Sequence, residues 1–160
     1  MVLRGIDAVD ARSRLEASLA SGAALETWNR MVVAHGGDPD PDRLPRPART
    51  HEIVADTGGF VTGIAATSLG RVAAMVGAGR SRRDEALAFG AGVTVHARLG
   101  DGVERGQPLA TLEIGERPVD VESLARRIAA AFEIAETPSD APELVLGTVD
   151  QVDPPAFSQA

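Results

Sequence analysis

The stretch GVTVHARLGDGVERGQPLATL, residues 92–112, carries the pattern that decides the fold. Apolar and polar residues alternate with period two through its first half, which is typical of a strand with one buried face. Gly100–Gly102 supplies turn chemistry, because glycine adopts positive φ and aspartate bonds to nearby backbone. Residues 109–114 then predict a returning strand. The alternation predicts four inward-facing side chains in the first strand: Val93, Val95, Ala97 and Leu99.

The flanking segments predict helices packed on this sheet, and thus an α+β domain. Before the strand pair, residues 51–56 and 60–64 indicate two strands joined as a hairpin by the turn at 57–59. Thr67 or Ser68 then starts a helix that the glycines at 77 and 79 end. After the pair, Asp120 begins a helix with an apolar stripe, and residues 144–149 predict a closing strand. The stripe comprises Val121, Leu124, Ala125, Ile128 and Phe132.

The N-terminal part predicts a helical hairpin over residues 1–37. Asp7 and Asp10 are candidate N-caps of its first helix, and Gly36–Gly37 ends the second. The apolar stripe of the second helix, Leu25, Trp28 and Val32, needs a partner surface that two short helices do not supply. Four prolines within residues 38–47 exclude a helix or a central strand, so residues 38–48 are expected to form a connector.

Composition limits the classes of protein this chain can be. It has 160 residues, 44% of them hydrophobic, which suffices for one ordinary domain and an appendage. The net charge of −7 argues against nucleic acid or an anionic membrane as a partner. Cysteine is absent, and no apolar run has the length of a membrane span. We therefore expect a cytoplasmic protein without disulfides or Cys-ligated metal.

Candidate chemistry in the sequence is sparse. The run Gly77–Ala78–Gly79–Arg80 follows a helix, whereas phosphate loops open one, so a helix end and turn is the better interpretation. The anion-patch candidate is Arg80 with Arg82 and Arg83, although short charge runs usually face solvent. The alternative interpretation is that these three arginines belong to an ordinary solvated surface.

No metal site or nucleophile is indicated by the remaining residues. The three histidines, His35, His51 and His96, lack the spacing of a helical metal site, and His96 is expected to face solvent or an interface. No serine lies in a Gly-x-Ser-x-Gly context. We accordingly expect no catalytic, substrate-binding or metal-binding residue and no cofactor.

The motifs, taken together, resemble the C-terminal domain of thymidine and pyrimidine-nucleoside phosphorylases. The resemblance runs from about residue 11 to 149 and includes the segment SGAALETW…MVVAHGGDP, then Gly59–Phe60–Val61, Gly77–Arg80 and Leu99–Gly100–Asp101. It implies an α/β hammerhead, related to barrel-sandwich hybrids, at residues 49–150, preceded by a helical hairpin that is a remnant of the upstream domain. Residues 151–160 are expected to be a disordered tail.

The resemblance also implies an enzyme that converts thymidine and phosphate to thymine and 2-deoxyribose 1-phosphate. The catalytic residues of the family are expected in an N-terminal part that this chain lacks, so the chain is expected to be inactive alone. That N-terminal part is its expected partner. Weak self-association of the chain is also expected. Phosphate is implied as a co-substrate. Two alternatives are one chain of a split phosphorylase and a stand-alone, non-catalytic hammerhead binding module.

A further similarity links Gly100–Gly106 to the turn of biotinyl and lipoyl carrier domains. Such carriers are modified on a lysine, and all sixteen basic residues of this chain are arginine. A carrier function is therefore excluded, and only the architecture is shared.

Overall fold

The computed structural model describes residues 5–80 and 82–139, and it divides into two compact units, residues 1–45 and 46–160. The division falls inside the proline-rich connector predicted at residues 38–48. Each unit is described by itself below. The predicted strand at 144–149, the tail at 151–160 and the end of the 49–150 domain lie outside the described residues.

The first unit is a pair of packed helices, α1 (Ala8–Ala20) and α2 (Ala23–Ala34), followed by a short 3₁₀ turn at Pro41–Arg43. Asp7 caps α1, because its carboxylate accepts bonds from the amides of Val9 and Asp10. Gly22, with φ of 80°, connects the helices. Only Ala11 is buried among the residues of α1 and α2. The helices thus leave two of the three stripe residues exposed, Leu25 at 63% and Trp28 at 58%, whereas Val32 is half-buried.

The second unit is an α+β domain with two small antiparallel sheets. One sheet joins β1 (Arg49–Val54), β5 (Pro108–Ile114) and β3 (Gly92–Val95), with β5 in the centre. The other joins β4 (Gly102–Val103), β2 (Gly59–Ile64) and β6 (Phe132–Ala135), with β2 in the centre. The helices α3 (Ala66–Ala73) and α4 (Val121–Ala129) pack against each other.

One continuous core connects these elements. The side chains that are almost wholly buried come from β2, β5, α4 and the α3 segment, and aliphatic residues dominate them. Burying such side chains is the main stabilising term, at about 1.5–3 kcal/mol each. The largest fully buried ones are Leu112, Ile114, Ile128, Val61, Val72 and Val76.

The predicted pairing of residues 93–99 with 109–114 is confirmed, with Gly92 opposite Glu113 and Val95 opposite Ala110. The strand is shorter than predicted and ends at Val95. Val95 shares the face of Ala110, yet it is 42% exposed, so its predicted burial is wrong. The physical reason is that β3 is an edge strand, and among the described residues no strand pairs with its outer side.

Three further expectations for the second unit are wrong. The strands at 51–56 and 60–64 do not form a hairpin, since β1 pairs with β5 whereas β2 pairs with β4 and β6. Neither Thr67 nor Ser68 caps α3, whose N-cap is Ala65 without a side-chain bond. Phe132 is not helical, because α4 ends at Ala129 and Phe132 begins β6.

Candidate functional site

The glycine-rich segment at residues 77–80 is a helix end, as the sequence predicted. The last turn of α3 widens into a π turn over Ala74–Ala78, and Gly77 within it has φ of 115°. A side chain at Gly77 would place its Cβ 2.8 Å from that of Ala88. The Gly77 carbonyl accepts a bond from the Ala88 amide at 2.9 Å. Glycine is therefore required here for backbone geometry and close packing.

The structure places the three arginines of the anion-patch candidate at the surface. Arg80, Arg82 and Arg83 are all exposed. Arg82 Nε lies 3.8 Å from the Asp84 carboxylate, and the two side chains are 81% and 80% exposed. Exposed pairs of this kind contribute little to stability. The neighbouring carboxylate also lowers the positive charge that an incoming anion would meet.

A half-buried arginine that the sequence did not single out organises this segment. Arg117, between β5 and α4, lies with its Nη1 3.1 Å from the Glu85 carboxylate. Its Nη2 donates a 2.9 Å bond to the Ala86 carbonyl. The two bonds tie residues 85–86 to the β5–α4 connection. Arg117 stands between Glu116 and Pro118 and is not part of a recognisable sequence motif, so its structural role is visible only in the tertiary structure.

Arg117 also lines a cavity of about 430 Å³ between the π turn and the start of α4. Asp120 lies in the lining, where its carboxylate caps α4 by accepting the Ser123 amide at 3.1 Å. Histidine is absent from the lining, and both charged side chains have structural partners. The volume suits a small ligand, and the lining offers one hydroxyl, that of Ser123, together with the capping carboxylate of Asp120. Its lining comprises Ala74, Met75, Arg117, Pro118, Val119, Asp120, Ser123 and Leu124.

The histidines are not brought together in the sheet. His51 on β1 lies opposite Leu112, whereas the Nε2 atom of His96 lies 2.8 Å from the Thr111 hydroxyl. Leu112 and Thr111 are adjacent on β5, so the two histidines face opposite sides. His96 is exposed, which confirms its predicted solvent-facing position. Within residues 5–80 and 82–139 no group of three or more His, Cys, Asp or Glu side chains is placed to hold a metal ion.

One face of the first sheet is polar and hydrogen-bonded to itself. The Thr94 hydroxyl donates to the Glu113 carboxylate at 3.1 Å, next to the contact between His96 and Thr111. On the neighbouring strand β1, Glu52 pairs with Thr111 by register, so it lies on the same face. Cross-strand polar pairs of this kind stabilise a solvent-facing sheet surface by a few tenths of a kcal/mol each. This surface needs no ligand to satisfy its polar groups.

The described helices include none with the length and apolar character that crossing a bilayer requires.

Comparison with known proteins identifies the domain. Residues 60–135, from β2 to the end of β6, match the family model described as the pyrimidine nucleoside phosphorylase C-terminal domain. The matched segment contains the glycine-rich helix end, the strand pair and α4. It excludes the whole of the first unit.

Curated relatives extend the similarity over most of the chain. It is 31% identical over 140 residues to a pyrimidine-nucleoside phosphorylase of Geobacillus stearothermophilus, covering 85% of this chain and 32% of the relative. It is 34% identical over 115 residues to one of Bacillus subtilis strain 168, covering 69% of this chain and 27% of the relative. For one of Staphylococcus aureus strain USA300 the identity is 30% over 131 residues, covering 79% of this chain and 30% of the relative.

The chain thus spans about a third of the length of these relatives. Each alignment covers more of the chain than residues 60–135, so part of the similarity lies outside the matched domain. The domain match and the relatives agree, and residues 60–135 belong to the family of pyrimidine nucleoside phosphorylase C-terminal domains.

Proposed function

We propose that this chain is the C-terminal portion of a thymidine phosphorylase-like pentosyltransferase. The reaction would convert thymidine and phosphate to thymine and 2-deoxyribose 1-phosphate. The observation that supports it most is the match of residues 60–135 to the C-terminal domain of pyrimidine nucleoside phosphorylases, together with relatives named pyrimidine-nucleoside phosphorylase. We propose the cytoplasm as its compartment.

We also propose that the catalytic groups lie outside this chain. Phosphorolysis requires a site that holds phosphate beside the sugar and stabilises charge that develops on base and sugar. The chain has no lysine, and in the cavity beside the π turn Arg117 and Asp120 already make structural bonds. The chain would accordingly be inactive alone and depend on the phosphorylase part that the relatives possess in addition.

The architecture that we propose for residues 49–150 is the α/β hammerhead. Two small antiparallel sheets with α3 and α4 against one core support this proposal. The exposed apolar side chains of the first unit support a partner surface on the remainder of the phosphorylase, and weak self-association when that part is missing.

The first test is an activity measurement on the isolated chain. We expect the purified chain to release no thymine from thymidine in the presence of phosphate, because the groups that would hold phosphate beside the nucleoside sugar are proposed to lie outside it. Chromatographic detection of thymine, with and without phosphate, measures this. Phosphate-dependent release that persists through repurification would contradict the proposal.

The second test asks for a positive result. The matched third of the Geobacillus stearothermophilus relative would be replaced by this chain, and activity compared with the same relative truncated at that point. We expect the chimera to be at least tenfold more active. The matched control is the chimera carrying Val61→Asp, which places a charge at a fully buried position and should remove the gain. A chimera no better than the truncated relative argues for the stand-alone binding module.

A further inference from the structure

A groove between α3 and α4 combines two arginines with a serine. It has a volume of about 300 Å³ and is lined by Ser68, Arg71, Val72, Arg127 and Ala130. Ser68 and Arg71 lie three residues apart on α3 and so share one side of that helix. Arg127 comes from the last turn of α4. The packing of α3 on α4 is what brings the two guanidinium groups to one groove.

The groove is cationic and has no carboxylate in its lining. In the part of the chain that the structure describes, neither Arg71 nor Arg127 takes part in an ion pair. Arg127 instead places its Nη1 atom 3.9 Å from the Met75 sulfur. Because the chain as a whole carries a net charge of −7, this pair of arginines is a local site of opposite sign.

The chemistry of the lining suits a phosphate group. A guanidinium group presents two parallel N–H donors that match two phosphate oxygens, and a serine hydroxyl adds an O–H donor. The floor is apolar, since Val72 is buried and Ala130 has only a methyl side chain. The volume lies at the lower end of small-molecule sites, which leaves room for a phosphate and a few attached atoms.

We propose that the groove formed by Ser68, Arg71 and Arg127 binds a phosphate dianion, either inorganic phosphate or the end of a small phosphate monoester. The two guanidinium groups hold the oxygens from α3 and from α4, and the Ser68 hydroxyl donates to the same group. Binding therefore bridges the two helices.

A role limited to the helices themselves is the competing explanation. Basic side chains in a last helical turn interact favourably with the helix dipole, and Arg71, Arg126 and Arg127 all occupy such turns. Arg126 is adjacent to Arg127 and is also exposed, but it does not line the groove. Arg126→Gln is therefore a matched control, with the same charge change in the same turn.

The experiment is a titration of the full ¹⁵N-labelled chain with inorganic phosphate, followed by amide chemical shifts at constant ionic strength set with chloride. We expect saturable shifts at residues 68–72 and 126–130. We expect Arg71→Gln and Arg127→Gln each to weaken binding about tenfold, as removal of a charged hydrogen-bond donor implies. Ser68→Ala should weaken binding less, and Arg126→Gln should leave it within twofold. Thermal melts by circular dichroism verify that each variant is folded.

A parallel titration with glycerol 3-phosphate distinguishes the two sources of phosphate. Tighter binding of glycerol 3-phosphate assigns the groove to a monoester, and equal or tighter binding of inorganic phosphate assigns it to the free anion. The proposal is overturned if the parent chain shows no saturable shift at these residues. It is also overturned if Arg126→Gln weakens binding as much as Arg127→Gln, since bulk charge would then account for the effect. If Arg71→Gln does not fold, Arg71→Lys keeps the charge but removes the two-pronged donor and is expected to weaken binding several-fold.

Discussion

Gly77 and Gly70 lie seven residues apart along one helical segment, yet opposite effects are expected from the same substitution. Gly77→Ala puts a side chain at φ of 115°, with its Cβ 2.8 Å from that of Ala88, so we expect a loss of about 2–5 kcal/mol in the free energy of unfolding. Gly70→Ala meets nothing within 4 Å and should gain up to about 1 kcal/mol from helix propensity. Urea denaturation followed by circular dichroism measures both. Equal effects at the two positions would contradict this account.

At single residues, prediction from the sequence worked where the chemistry is local. Asp7 and Asp120 cap helices because an aspartate can reach amides two or three residues ahead without help from the rest of the chain. The alternation placed Val95 on the correct face of β3. Its exposure, however, depends on which other segments pack over this edge strand, and the local sequence does not show that. Arg117 has partners 31 and 32 residues away, so no local pattern could have identified it.

Among the elements, the segment at residues 82–91 is bonded to the β5–α4 connection through Arg117. Arg117→Ala removes the bonds to Glu85 and to the Ala86 carbonyl, so we expect this segment to open more often while β5 stays intact. Hydrogen exchange should show protection of the Ala88 amide, bonded to Gly77, falling about tenfold, the size of effect that losing one such bond implies.

The control for this prediction is Arg12→Ala in α1. Arg12 pairs with Glu16 at 3.2 Å, but the two side chains are 80% and 64% exposed, so less than about 0.5 kcal/mol is at stake. If exchange at Ala88 does not change in Arg117→Ala, the half-buried pair does not hold the segment.

Strand partners were harder to predict than strands. The segments at 51–56 and 60–64 are separated by a good turn sequence, which favours a hairpin, but each strand instead pairs with segments far along the chain. Phe132 continues the apolar spacing of α4, so periodicity alone assigns it to the helix and hides β6. The pairing of β3 with β5 was predictable because the turn chemistry and the alternation agree.

For the molecule as a whole, the division at residues 45 and 46 predicts that the second unit folds independently. Deletion of residues 1–45 removes no member of the main core, so we expect the remaining chain to melt within a few degrees of the full chain. Circular dichroism measures the melt. Failure to fold would mean that the helical hairpin is an integral part of the core.

The same deletion tests self-association. We expect the full chain to show weak, concentration-dependent association by sedimentation velocity and the truncated chain to be monomeric, because Leu19, Leu25 and Trp28 are exposed on α1 and α2. Leu25→Ser in the full chain is a matched variant that should reduce association without deletion. Association of the truncated chain as strong as that of the full chain would locate the contact elsewhere.

The similarity to the phosphorylase C-terminal domain was predictable, because the motifs that carry it are spread over much of the chain. The groove between α3 and α4 was not, because Arg71 and Arg127 are 56 positions apart and meet only after two helices pack. Arg80, Arg82 and Arg83 are close neighbours in sequence, and the structure places all three at the surface. Closeness in sequence therefore does not show that side chains converge on one site.

The division into two units also determines what an optical experiment can see. Trp28 is the only tryptophan, tyrosine is absent, and Trp28 lies 58% exposed in the first unit. Tryptophan fluorescence excited at 295 nm would therefore report on the helical hairpin and not on the two sheets. A chain starting at residue 46 would contain neither tryptophan nor tyrosine, so it would absorb almost no light at 280 nm. Its concentration must be measured from peptide absorbance, and its unfolding from signals of the backbone.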